Sequence, residues 1–169
     1  MLEVTIPESL NQIDKGGILE VVTATAHALI GGAIAASTAT NPALGITLSA
    51  ISHPIADLVP HWDFGIGWRK KSKVILLVQS LADLGLGVSL AFLLFGNTTN
   101  HLYLFLCILI SESWDILQMP YLLFNWKFPP FSTFYRFGHR TNGKAKMPWG
   151  IVTQVASVTG LVLALRVIH

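Results

Sequence analysis

The chain of 169 residues has one cysteine and little charge. Asp, Glu, Lys and Arg make up 12% of it, against roughly a quarter of a soluble domain. The lone Cys107 excludes a disulfide framework and any CxxC metal or redox motif. Eleven Lys and Arg against nine Asp and Glu give a net charge of +2, far from the basic footprint of a nucleic-acid-binding domain. A disordered tail and an ordinary cytosolic enzyme are excluded on the same composition. Internal repeats, low-complexity runs and the inverted span pairs common in transporters are also missing. What the chain does hold is apolar sequence: 52% of residues are hydrophobic, and they come in long runs.

Five runs reach the 17 to 25 residues that a membrane-crossing helix needs: 18–37, 43–59, 74–95, 102–124 and 149–168. The expected fold is a single all-α domain, 1–169, an integral membrane bundle of about five transmembrane helices. A polar segment, 1–17, carries Glu3, Glu8 and Asp14 and no basic leader, so the first span is expected to be a permanent anchor rather than a signal peptide. The connections at 38–42 and 96–101 contain no Lys or Arg. Arg69, Lys70, Lys71 and Lys73 follow span two, and Lys127, Arg136, Arg140, Lys144 and Lys146 follow span four. The positive-inside rule then predicts a cytoplasmic N-terminus and a C-terminus outside. The segment 126–148 is too polar to span yet rich in Phe, Tyr and Pro, and is expected to lie in the membrane interface as an aromatic and basic loop.

Ionisable residues inside spans are costly, about 2.5 to 3.5 kcal/mol each on insertion scales, and mark functional sites. This chain places His27 in span one, His53 and Asp57 in span two, Asp83 in span three, and Glu112 and Asp115 in span four, with His61 and Asp63 just beyond span two. No Lys or Arg lies within those four spans. At 1.5 Å per residue, His27, Asp83 and Asp115 all come about 13 Å from the cytoplasmic ends of their helices. His53, Asp57 and His61 recur at i, i+4 and i+8, and Glu112 and Asp115 at i, i+3, so each set shares a face. His27 lies beside a row of small residues, Ala24, Ala28, Gly32 and Ala36, which admits close helix approach. Imidazoles and carboxylates converging without a basic partner need bound protons or a metal. Mixed His and carboxylate ligation suits zinc, with manganese or iron as alternatives. The expected ligands are His27, His53, Asp57, Asp83 and Asp115, with Gln79 one turn before Asp83 as an orienting partner. Protonated acids hydrogen-bonded between helices are the competing reading. Pro54 removes an amide donor, which predicts a disturbed helix around Ala50, with His53 biased away from helical geometry.

The lone His27, followed by His53-x3-Asp57-x2-Pro60-His61-x-Asp63 at the end of the second span, resembles the bacterial inner-membrane metal-dependent hydrolase family. A fainter likeness runs to zinc-dependent phospholipase C. The resemblance covers mainly residues 20–120 and implies metal binding by His27, His53, Asp57 and His61, with hydrolysis of a phosphoester or lipid. The His-Arg-x-x-Thr-His-Ser stretch associated with many such hydrolases is absent, and residues 65–73 stand in its place. The expected function is a membrane-embedded metal-dependent hydrolase of a lipid or amphiphilic phosphoester. Glu112 is the expected general base and His61 the second catalytic candidate. Arg136, His139 and Arg140 are candidates for binding substrate phosphate, since a guanidinium binds phosphate bidentately. The alternative is a metal-ion or proton pathway using the same acids and histidines.

Overall fold

The computed structural model describes residues 23–62, 70–143, 145 and 148–167. The polar segment 1–17, Asp63, Arg69, Lys144 and Lys146 lie outside the described residues. Among those described, the fold is all-α: helices α1 (Ala24–Ser37), α2 (Pro42–Ala56), α3 (Lys73–Phe95), α4 (His101–Ser111), α5 (Ser113–Phe124), α6 (Phe131–Thr141) and α7 (Trp149–Val167). One isolated bridge joins the chain at His61 to the segment after α6: His61 N–H donates to Gly143 O (3.4 Å) and Ala145 N–H to His61 O (3.2 Å).

Helix starts follow the local chemistry. Asn41, Ser72 and Asn100 precede α2, α3 and α4, and each side chain accepts an amide hydrogen bond from the first turn, from Leu44, Ile75 and Tyr103, meeting donors that have no intrahelical partner. Pro42 follows Asn41 at the first helical position, where its missing amide costs nothing. Helix α5 stops at Asn125, which adopts the left-handed conformation (φ 58°) favoured by Gly and Asn at helix ends.

Helix α1 is the centre of the bundle and packs against α2, α3, α4 and α7. Its small residues make this geometry reachable. A Cβ built on Gly31 would stand 2.9 Å from the Cys107 carbonyl oxygen and 3.0 Å from the Ile108 Cα, so α4 lies with its backbone against α1. Gly87 of α3 meets Thr25 and Ala28 in the same way. Ala28, Ala33, Ala35, Ala91, Phe95, Leu104, Cys107 and Ile108 form the core.

Several elements differ from the expectation. Among the described residues, only α3 is by itself long and apolar enough to cross a membrane. The run 102–124 forms two helices, α4 and α5, bent by 49° about Glu112, and the pair passes the same test together. Helix α1 starts at Ala24, after Thr23 with its extended backbone angles (ψ 137°), which places His27 in the first turn of that helix; residues 18–22 of the expected span lie outside the described residues. Helix α2 runs through Pro54 to Ala56 without breaking, and His53 is helical. The carbonyl that Pro54 leaves without a donor, Ala50 O, accepts instead from the Trp114 indole Nε1 at 3.1 Å. The segment 126–148 is more than a loop: it contains α6, which packs on α5 through Phe134 and Phe137 against Trp114, and Tyr135 against Tyr121.

Candidate metal centre

Three elements bring the centre together. His27 comes from the first turn of α1, His53 from the last turn of α2, and Asp57 follows directly after α2. All three are buried. The two imidazoles stack with ring centroids 3.7 Å apart and planes 9° from parallel. Asp57 reaches both: its Oδ1 lies 3.3 Å from His27 Nε2 and its Oδ2 lies 3.5 Å from His53 Nε2. One ligand atom from each of the three residues falls within 4.8 Å of the other two, so this His-His-Asp group can hold a metal ion.

The hydrogen bonds around the centre fix which nitrogen faces it. His53 Nδ1 is 2.6 Å from the Ser111 carbonyl oxygen. A carbonyl only accepts, so Nδ1 carries a proton and Nε2 is the nitrogen that faces Asp57. A donated Nδ1–H is the usual device for orienting a metal-binding histidine. The Ser111 carbonyl is free for this because Ser111 ends α4, and the last carbonyls of a helix have no partner within it. The Ser111 hydroxyl donates to His27 O (3.0 Å), which ties the α4 end to α1 beside the first imidazole. His61 repeats the pattern: its Nδ1 lies 2.6 Å from Val59 O, while Nε2 is buried without a partner. Burial lowers the His61 pKa from its ordinary value, which favours the neutral ring.

His27 Nε2, His53 Nε2, Asp57 Oδ1 and His61 Nε2 are all buried without a hydrogen bond. Buried polar atoms are almost always paired, and each that is not calls for a cause such as an ion. A divalent cation satisfies three of these groups at once, whereas an apolar repacking satisfies none.

The other expected site residues fall into three groups. Asp115 adjoins the centre: its Oδ1 lies 3.5 Å from His53 Nε2 and accepts from Gln118 Nε2 at 3.2 Å. Glu112 stands at the α4–α5 break, buried, with Oε1 unpartnered. Asp83 is a correction. Its carboxylate accepts from the Ala24 amide (2.7 Å), the Thr25 amide (3.3 Å) and the Thr25 hydroxyl (2.6 Å), so it caps the start of α1, where backbone donors and the helix dipole favour an anion. Gln79 accepts from Lys71 Nζ (2.9 Å) rather than orienting Asp83. On α6, Arg136 and Arg140 are exposed, and among the described contacts none joins them to the centre. His139 stacks on Tyr135, with centroids 6.3 Å apart.

Three residues at the centre were not singled out by the sequence reading. Trp114 stacks over His53 (6.3 Å, 16°), Gln118 holds Asp115, and Ser111 supplies both bonds described above. The signal for the last was present in Ser111-Glu112-Ser113, a polar trio inside an apolar run, which marks a helix break that hydropathy alone reads as continuous.

No family model, curated protein or solved structure matches this chain.

Proposed function

We propose that the chain is a multi-pass membrane metal-dependent hydrolase whose substrate is a lipid or an amphiphilic phosphoester. One observation carries the reading: two stacked imidazoles and a carboxylate, buried and mutually unsatisfied, converge within 4.8 Å with no basic side chain in the group. The membrane setting is supported by the apolar outer surface of the helices, where Leu93 is 75%, Val74 70% and Leu102 67% exposed; apolar patches of that extent mark contact with membrane or partner. Within this proposal the five apolar runs cross a bacterial inner membrane with the N-terminus cytoplasmic. The run 102–124 crosses as the bent pair α4–α5.

His27, His53 and Asp57 would hold the metal, with Asp115 beside His53 as a further donor. Zinc is the first choice by donor type, manganese and iron the others. A metal bound there supplies Lewis acidity and a water whose pKa is lowered toward 7. The rest is the work of the chain. Ser111 O and Asp57 fix the His53 ring between them, and Trp114 covers its face. Glu112 has a free carboxylate oxygen and is no member of the triad, which suits it to take a proton from the attacking water. His61 Nε2 is a second group able to accept or pass a proton. Arg136, His139 and Arg140 are proposed only as contacts for headgroup phosphate at the α6 surface. The resemblance of His27 and His53-x3-Asp57 to membrane metal hydrolases points to the same chemistry.

The test is hydrolysis of a panel of phospholipids and lipid phosphates by purified protein, with metal measured on the same samples. Wild type is expected to hydrolyse at least one class, and Glu112→Gln to lower turnover by roughly 10²- to 10⁴-fold, as for loss of a general base, with metal content unchanged. Loss of metal in Glu112→Gln would make Glu112 a ligand. No hydrolysis by metal-loaded wild type across the panel would overturn the hydrolase reading.

A further inference from the structure

The chain that leaves α2 does not satisfy its own turn. Asp57 stands just past the end of α2, where a carbonyl has no partner within the helix. Of the amides that follow, Leu58 N–H donates to Ile55 O (3.2 Å) and Val59 N–H to Ala56 O (3.0 Å), and Pro60 has none to give. The donor comes instead from the segment after α6: Gly143 N–H donates to Asp57 O at 2.7 Å, and Gly143 O accepts from His61 N–H at 3.4 Å. Ala145 N–H then donates to His61 O (3.2 Å). Gly143 thus bonds both ends of the turn 57–61, which begins at a carboxylate of the metal centre and ends at a buried histidine. The fit admits no side chain at this position. A Cβ on Gly143 would stand 2.8 Å from Leu58 O and 3.1 Å from both Pro60 N and Val59 C, backbone atoms that cannot swing aside. Helix α6 comes equally close at Gly138, where a Cβ would lie 3.0 Å from the Gln118 amide group that donates to Asp115.

We propose that Gly143 is a positioning residue of the metal centre: by bonding Asp57 O and His61 N–H together, it sets where the Asp57 carboxylate stands between the two imidazoles. The proposal rests on the metal reading of that centre and adds to it a residue that ligates nothing. His27 lies within α1 and His53 within α2, and His53 is held further by Ser111 O. Asp57 is the member of the triad that lies beyond a helix end, so its backbone takes its place from the segment bonded to it. Its two oxygens lie 3.3 Å and 3.5 Å from different rings. A displacement of the turn therefore moves the carboxylate toward one imidazole and away from the other, which alters the space that an ion between them would fill. Groups that orient a metal ligand in this way tune affinity without touching the metal.

The experiment uses the full chain in detergent with cobalt(II) as the probe, its affinity read by chelator competition and its ligand geometry by d–d absorption. Exchange of single backbone amides is followed by NMR on the metal-free protein. Gly143→Ala is expected to weaken cobalt binding roughly 10- to 100-fold, the usual range when a group that orients a ligand is lost, to shift the d–d bands, and to speed exchange of the His61 amide. Gly32→Ala, which drives a methyl against Phe95 and Ala91 in the core, is the control: it should lower Tm and leave cobalt affinity and bands as in wild type. A folded Gly143→Ala that is destabilised like the control, yet binds cobalt with wild-type affinity and bands, would overturn the proposal, because the glycine would then serve packing alone. So would rapid exchange of the Gly143 and His61 amides in wild type, a reading that needs neither metal nor a variant. Slow exchange of both amides in a wild type that takes up no cobalt would reject the metal centre, and Gly143 as its positioning residue with it, while keeping the bonded turn.

Discussion

Among the described residues, Asp57 is the one whose carboxylate reaches both imidazoles of the centre, at 3.3 Å and 3.5 Å, so Asp57→Asn is the sharpest perturbation of it. The change keeps the side-chain volume and one oxygen, and removes the charge. Structural zinc binding is worth about 10 to 16 kcal/mol over four ligands, so about 2.5 to 4 kcal/mol falls to each, and the affinity should drop roughly 10²- to 10³-fold at 1.4 kcal/mol per tenfold. With metal at ~100 times the wild-type Kd, binding stabilises the native protein by about 2.7 kcal/mol, and a hundredfold weaker variant retains only about 0.4 kcal/mol of that. The loss of roughly 2.3 kcal/mol corresponds to about 5 to 9 °C in Tm for a chain of this size. The assay is thermal unfolding in detergent, with chelator and with added zinc. Wild type should show the metal-dependent rise and Asp57→Asn almost none of it. An equal rise in both proteins would refute the reasoning, because metal would then be stabilising the fold from somewhere other than this triad.

Asp83→Asn separates a cap from a ligand: it should leave metal content untouched and lower Tm by roughly 1 to 8 °C, since a carboxylate at a helix N-terminus is worth about 0.3 to 1 kcal/mol, up to ~2 where partly buried; loss of metal would return Asp83 to the ligand set. Gly31→Ala pushes a methyl to 2.9 Å from the Cys107 carbonyl and should destabilise by about 1 to 3 kcal/mol, the usual cost of overpacking. Gly85→Ala, with nothing within 4 Å of the new methyl, should be neutral or stabilise by up to about 1 kcal/mol on helix propensity, and equal losses at the two positions would remove the close α1–α4 approach from the account.

What the sequence made readable was whatever depends on composition and on spacing within one helix. The apolar runs foretold helices, and His53 with Asp57 at i, i+4 foretold a shared face that the structure brings to one point with His27. Placement between helices was less legible. Equal depth put Asp83 level with His27, but depth says nothing of rotation about the helix axis, and the start of α1 at Ala24 turned that carboxylate into a cap. The bend at Glu112 was hidden because apolar residues on both sides keep the hydropathy high across it. Pro54 was read as a break, and the helix survives it because Trp114, distant in sequence, donates to Ala50 O. No local pattern carries that contact.

The central claim is that His27, His53 and Asp57 hold a divalent transition metal. Its most direct test is elemental analysis of the protein purified in detergent without chelator, joined to X-ray absorption at the edge of the metal found. About one ion per chain is expected, bound only by nitrogen and oxygen at about 2.0 to 2.2 Å if it is zinc, and lost from a His27→Ala, His53→Ala double variant. A wild-type protein that is folded, metal-free and unable to take up zinc, manganese or iron when each is supplied would contradict the account.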